Sequence, residues 1–190
     1  SQVDLINEGT LIMSLHNAKK GWLSTSWALI RGKNNKETIA IKATKGFFDT
    51  MGRAIDSANP EGRWVHEMHS EGGLISERAA EGLCDESKKL LSKHLLAIGV
   101  GPAHPFPKAL ALDAVNYYSK RDLGTGLFGW VHRNNSKYDI QFIDSKATWR
   151  DPMLWGLIDH AFMGPTYQGA LKTALSNYKD QYRFYDPTKN

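Results

Sequence analysis

The chain has 190 residues, of which 41% are hydrophobic and 23% charged, with a formal net charge of +4. These values exclude a disordered, collagen-like or coiled-coil chain, and the length fits a single domain over residues 1–190. The mild positive charge favours an anionic partner, for which DNA or RNA is the expectation. No apolar run approaches the roughly 18 residues that span a bilayer, so no membrane is expected.

The single cysteine, Cys84, cannot form an internal disulfide. A lone thiol favours a reducing compartment, so a cytoplasmic or intracellular location is predicted. The aromatic residues, including six tryptophans, are typical of a core or of a homo-oligomeric interface.

The N-terminal third of the chain is predicted to form strands, in residues 10–16, 22–31 and 37–44. The last of these alternates Ile39 and Ile41 with polar residues, and period two marks a half-buried strand. Because residues 32–35, GKNN, have the composition of a turn, the last two strands are expected to form a β-hairpin.

The middle of the chain is predicted to be helical, in residues 47–58, 76–98 and 107–120. Residues 61–70 are expected to form a short helix or an extended segment. Gly99 is expected to end the longest helix, and residues 99–107, with three prolines, to form an ordered turn.

A second hairpin is predicted from residues 127–132 and 138–144, which flank a polar turn. A helix is expected after Asp151, and a last helix is expected to be capped by Thr166, because apolar residues recur from Tyr167 to Tyr178 at helical spacing. Strands and helices in blocks predict an α+β fold. Its two β-hairpins form a mainly antiparallel sheet, packed against about five helices.

The densest polar cluster contains His66, Glu67 and His69. On a helix the two histidines would share a face, and two imidazoles with a carboxylate could bind a divalent metal. The spacing does not match the HExxH zinc-protease pattern, so that class is not predicted.

A second cluster follows the second predicted hairpin. Asp122 precedes one strand, and Asp144 and Lys146 end the other in a DxK tripeptide. This arrangement resembles nucleases of the PD-(D/E)xK class. The resemblance implies carboxylates that hold Mg²⁺ or another divalent metal, with a lysine that helps activate the attacking water.

A third segment contains Tyr117, Tyr118, Lys120 and Arg121 on a predicted helix. It is similar to the helical tyrosine of HUH replication initiators, although the chain has no HxH motif. The similarity implies a tyrosine that attacks a DNA phosphate as the covalent nucleophile, and the tyrosines could stack bases.

A fourth resemblance joins residues 23–26, LSTS, to Glu67. ADP-ribosylating toxins have a similar STS strand and catalytic glutamate, which implies an NAD pocket. The first arginine, Arg31, follows this strand, whereas those toxins have one before it.

No GxGxxG, GxxxxGK[ST], GxSxG or CxxC motif occurs, so dinucleotide, P-loop, serine-hydrolase and redox functions are not predicted. The leading prediction is a nucleic-acid-interacting protein that acts as a metal-dependent phosphodiesterase or nuclease. The alternatives are a non-enzymatic virion or assembly subunit, and an ADP-ribosyltransferase-like toxin domain.

Overall fold

Four strands form one parallel sheet. The computed structural model describes residues 38–122, 125–146 and 165–182. In this part of the chain the strands lie side by side in chain order: β1 (Trp64–Ser70), β2 (Leu95–Pro102), β3 (Asp113–Ser119) and β4 (Ile140–Ile143). Every neighbouring pair is parallel. The predicted antiparallel sheet of two hairpins is therefore wrong, and the fold is α/β.

Five α-helices accompany the sheet in the same described residues. They are α1 (Ile39–Ala58), α2 (Glu71–Glu81), α3 (Asp85–His94), α4 (Gly126–His132) and α5 (Pro165–Gln181), and a 3₁₀ turn covers Lys108–Leu110. Helices α2 and α3 connect β1 to β2, and α4 connects β3 to β4. Parallel neighbours need such crossovers, because a tight turn can join only antiparallel strands.

Helices cover both faces of the sheet. On one face, side chains of α1, α2 and α3 pack on the strands and form the first core, which includes Phe48, Ala79, Leu91, Trp64, Met68 and Leu95. On the other face, α5 packs on β2 and β3 and forms the second core, which includes Leu96, Ile98, Val100, Tyr167, Leu171 and Tyr178. All eight residues of β2 are buried.

Burial on both faces explains why several predicted elements are wrong. The predicted helix over residues 76–98 covers the end of α2, all of α3 and the start of β2, and the predicted helix over residues 107–120 is mainly β3. A strand covered on both faces reads as a continuous apolar run without the period of two, so it resembles a buried helix in the sequence.

Two predicted strands are helical. Residues 39–44 belong to α1, which begins after Thr38; the Thr38 hydroxyl accepts a hydrogen bond from the Ile41 N–H at 3.2 Å. Residues 127–132 belong to α4, so the second hairpin is also wrong.

Other elements are confirmed. The helix over residues 47–58 is the second half of α1, and the last helix is α5. This helix begins at Pro165, so Thr166 lies within it and is not its cap. Residues 140–143 form a strand, and residues 64–70 are extended. The predictions for residues 10–16, 22–31 and the helix after Asp151 lie outside the described residues. None of the helices in the described ranges is long and apolar enough to cross a membrane.

Candidate functional site

Ser70 has a backbone conformation that residues with a side chain rarely adopt. Its φ is 52° and its ψ is −127°, and it is the one non-glycine residue with positive φ in the described part of the chain. It ends β1, and α2 begins at the next residue, Glu71. Such strain costs about 1–3 kcal/mol and persists only where the surroundings impose it, commonly at functional sites.

The packing of α2 on the end of β2 imposes this turn. The Ala103 N–H donates a hydrogen bond to the carbonyl oxygen of Ser70 at 2.7 Å. A Cβ on Gly73 would lie 2.4 Å from Cβ of Pro102 and 2.7 Å from the carbonyl oxygen of His104. Only glycine therefore allows α2 to approach β2 this closely. Because α2 starts so near the end of β1, the chain has to change direction at a single residue, Ser70.

Ser70 lies at the carboxyl edge of the sheet. Because all four strands are parallel, their last residues meet at this edge. Open α/β sheets bind ligands outside the carboxyl ends of their strands. Asp122, three residues after β3, and Asp144, directly after β4, belong to the same edge.

Asp122 is buried, with 3% of its surface exposed. Its Oδ1 accepts the Thr125 N–H at 3.0 Å, and its Oδ2 accepts the Thr125 hydroxyl at 2.8 Å and the Tyr167 hydroxyl at 2.7 Å. Hydrogen bonds of this kind favour the ionised form of a buried carboxyl group. The arrangement can hold a fixed negative charge beneath the edge of the sheet.

The ends of β1 and β3 are separated by β2. Neighbouring strands lie about 4.8 Å apart, so the backbones of β1 and β3 are roughly 10 Å apart. That gap is too wide for a direct hydrogen bond between Ser70 and Asp122, and it is wide enough for one side chain to contact both.

The residues predicted to act on phosphates lie in different surroundings. Asp144 is 86% exposed, and its Oδ1 accepts a hydrogen bond from Nζ of Lys120 at 2.8 Å. This bond holds the pKa of Asp144 below its ordinary value. Lys146 and Arg121 are exposed, and the Lys146 N–H donates to the Thr166 hydroxyl at 2.9 Å.

Tyr117 and Tyr118 lie on β3 rather than on a helix, and both rings are buried. Tyr117 belongs to the core beneath α5, and a Cβ on Gly129 of α4 would lie 2.3 Å from the Tyr118 ring. The structure thus places their rings in the interior, whereas Lys120 and Arg121 are at the surface.

The histidine cluster lies on β1, where successive side chains point to opposite faces. The His66 ring packs 5.0 Å from the Phe48 ring, and the His69 ring lies 6.3 Å from the Tyr167 ring on the other face. Burial lowers the pKa of His66 to about 4 and raises the pKa of Glu67. The two imidazoles are therefore not brought together.

No group of three or more metal-binding side chains occurs within the described ranges. No family model, curated protein or solved structure matches the chain.

The sequence motifs considered above do not include Ser70. Residues 68–72 read MHSEG and differ from GxSxG only at the first position, where Met68 is a buried core residue. The sequence SEGG over residues 70–73, between an extended segment and a helix, is the signal that could have identified it.

Proposed function

We propose that the protein is a serine hydrolase in which Ser70 is the nucleophile and Asp122 the acid of a Ser-His-Asp triad. The observation that carries the proposal is the conformation of Ser70 between β1 and α2. In α/β-hydrolases the nucleophilic serine occupies a strained strand-to-helix turn at the carboxyl edge of the sheet. The buried Asp122 after β3 supplies the charge that such a triad needs.

The chemistry is acyl transfer. The Ser70 Oγ attacks the carbonyl carbon of an ester or amide while a histidine takes the hydroxyl proton. The negative charge on the carbonyl oxygen is stabilised by the N–H of Glu71, the first residue of α2, and by the positive end of that helix. The histidine gives its proton to the leaving group, and water then releases the acid from Ser70.

The base is expected after Asp122 in the chain, because α/β-hydrolases have the order serine, acid, histidine. Two histidines follow Asp122, namely His132 and His160. Helix α4 starts beside Asp122, where the Gly126 N–H donates to the Asp122 carbonyl oxygen at 2.8 Å. His132 ends that helix, and six residues at 1.5 Å each place it roughly 9 Å away from the edge. His160, which lies outside the described residues, is the other histidine after Asp122 and is therefore the candidate for the base.

A fluorophosphonate probe tests the nucleophile, because it labels only an activated serine. We expect the wild-type protein to be labelled and to hydrolyse p-nitrophenyl acetate, and Ser70→Ala to lose both. Ser92→Ala is the matched control, since Ser92 lies on α3 and its hydroxyl only donates to the Lys89 carbonyl oxygen. Labelling that survives in Ser70→Ala would overturn the proposal.

A metal-dependent nuclease is a second candidate, favoured by one observation. Asp122 and Asp144 follow the neighbouring strands β3 and β4 at the same edge. Incubation with plasmid DNA and with RNA, in Mg²⁺ or in chelator, tests it. Cleavage that requires Mg²⁺ and disappears in Asp144→Ala would support the nuclease, and an absence of cleavage would remove it.

A further inference from the structure

Tyr167 of α5 is hydrogen bonded at the point where β3 ends. Its hydroxyl donates to Oδ2 of Asp122 at 2.7 Å and accepts the Ser119 N–H at 3.1 Å. The side chain is fully buried. Because the hydroxyl both donates and accepts, its proton is directed at the carboxylate.

The backbone of β2 is shaped around this ring. Gly101 has a φ of 55°, and a Cβ there would lie 2.8 Å from the hydroxyl oxygen of Tyr167 and 2.9 Å from its Cζ. A side chain at position 101 would therefore displace the tyrosine as well as strain the strand. Two separate features, a glycine conformation and a pair of hydrogen bonds, converge on the same hydroxyl.

We propose that Tyr167 is a positioning residue, which orients the Asp122 carboxylate toward the catalytic histidine. This inference rests on the proposed serine hydrolase. The hydroxyls of Tyr167 and Thr125 converge on Oδ2, and the Thr125 N–H donates to Oδ1, so that together these bonds fix the rotation of the carboxylate. The acid of a triad works by holding the imidazole in one tautomer and orientation, so its own rotation must be fixed.

The Tyr167 hydroxyl stays protonated, and so remains a hydrogen-bond donor, throughout the pH range in which the enzyme would work. Burial, together with the charge of Asp122, raises the pKa of Tyr167 above its ordinary value. Asp122, Tyr118 and His69, whose ring lies 6.3 Å from that of Tyr167, are the titratable neighbours that face it in the described residues. Without the donor, the carboxylate would hold a proton more tightly and would stabilise the imidazolium more strongly. Both effects move the acid limb of the pH–rate profile to higher pH.

Tyr167→Phe tests the role while keeping the ring. With p-nitrophenyl acetate we expect kcat to fall about tenfold to a hundredfold, because catalysis is sensitive to small errors in orientation. We expect KM to stay within about twofold, since the tyrosine does not touch substrate. The acid limb of kcat/KM should move to higher pH.

Tyr178→Phe is the matched control. Tyr178 is another buried tyrosine of α5, and its hydroxyl donates to the Ala97 carbonyl oxygen at 3.3 Å, within the second core. We expect a comparable loss of thermal stability, with kcat and the pH profile unchanged. If the profile of Tyr167→Phe matched that of Tyr178→Phe, the positioning role would be wrong. Loss of labelling in Ser70→Ala would still support the hydrolase in that case.

Discussion

A Cβ on Gly73 would lie 2.4 Å from Cβ of Pro102, a separation that non-bonded carbon atoms do not reach. Helix α2 and the end of β2 are thus in contact through a residue without a side chain. The contact sets the start of α2, and with it the conformation of Ser70. Because of this contact, substitution of Gly73 and of its neighbour Gly72 should affect stability differently.

Gly73→Ala is expected to destabilise the protein by about 1–3 kcal/mol, because α2 must move away from β2. Gly72 is the matched control, since a Cβ there meets no atom within 4 Å. Gly72→Ala should instead add roughly 0.5–1 kcal/mol, as alanine is the better helix former. Urea unfolding measures both, and equal effects of the two substitutions would contradict the close contact.

Ser70→Gly should relieve the strain of the turn, because glycine adopts positive φ without steric cost. Ser70→Ala removes the same hydroxyl and keeps the strain. We therefore expect Ser70→Gly to be more stable than Ser70→Ala by about 1 kcal/mol, with both variants inactive on p-nitrophenyl acetate. The midpoint of urea unfolding gives the difference. A glycine variant less stable than the alanine variant would mean that residue 70 is not strained.

Asp122→Asn keeps the shape of the side chain and removes its charge. We expect kcat on p-nitrophenyl acetate to fall by about 10⁴, as for the acid of a triad. Asp139→Asn serves as control, because Asp139 directly precedes β4 at the opposite edge of the sheet. Its activity should stay within about twofold of wild type. Full activity of Asp122→Asn would show that Asp122 is not the acid of a triad.

The base is identified by two histidine variants. His160→Ala should lose fluorophosphonate labelling almost completely, because the serine is then no longer activated. His132→Ala should keep it, since the His132 ring packs against the rings of His104 and Tyr138, at 4.8 and 5.2 Å. The opposite pattern would assign the base to His132.

Glu77 of α2 makes stability depend on pH. Burial raises its pKa to about 7 from the ordinary 4.5, so between these values the folded protein holds a proton that the unfolded chain has lost. The contribution of Glu77 to the free energy of unfolding therefore falls as pH rises from about 4.5 to about 7. Glu77→Gln should remove that fall and be more stable than wild type above pH 7, as measured by thermal unfolding. Glu61→Gln, an 87% exposed site, should leave the curve unchanged.

The sequence by itself predicted elements whose pattern is local. Helix α5 was identified because apolar residues recur from Tyr167 to Tyr178 on the face that packs against the sheet. Residues 47–58 of α1 are also predicted from local sequence, with Asn59-Pro60 as the signal that ends the helix. Such periodicity depends on one buried face, and it is readable without knowledge of the partner.

Only the tertiary structure decided the sheet and the site. The sequence of β2, LLAIGVGP, does not alternate apolar and polar residues. Helices α2 and α3 cover one face of the strand and α5 covers the other, so all of its residues are buried. The conformation of Ser70 depends on the contact between Gly73 and Pro102. The surroundings of Asp122 depend on Tyr167, 45 residues later in the chain. Contacts between residues so distant in sequence leave no local pattern, which is why the strained serine and its buried acid appear only in the folded protein.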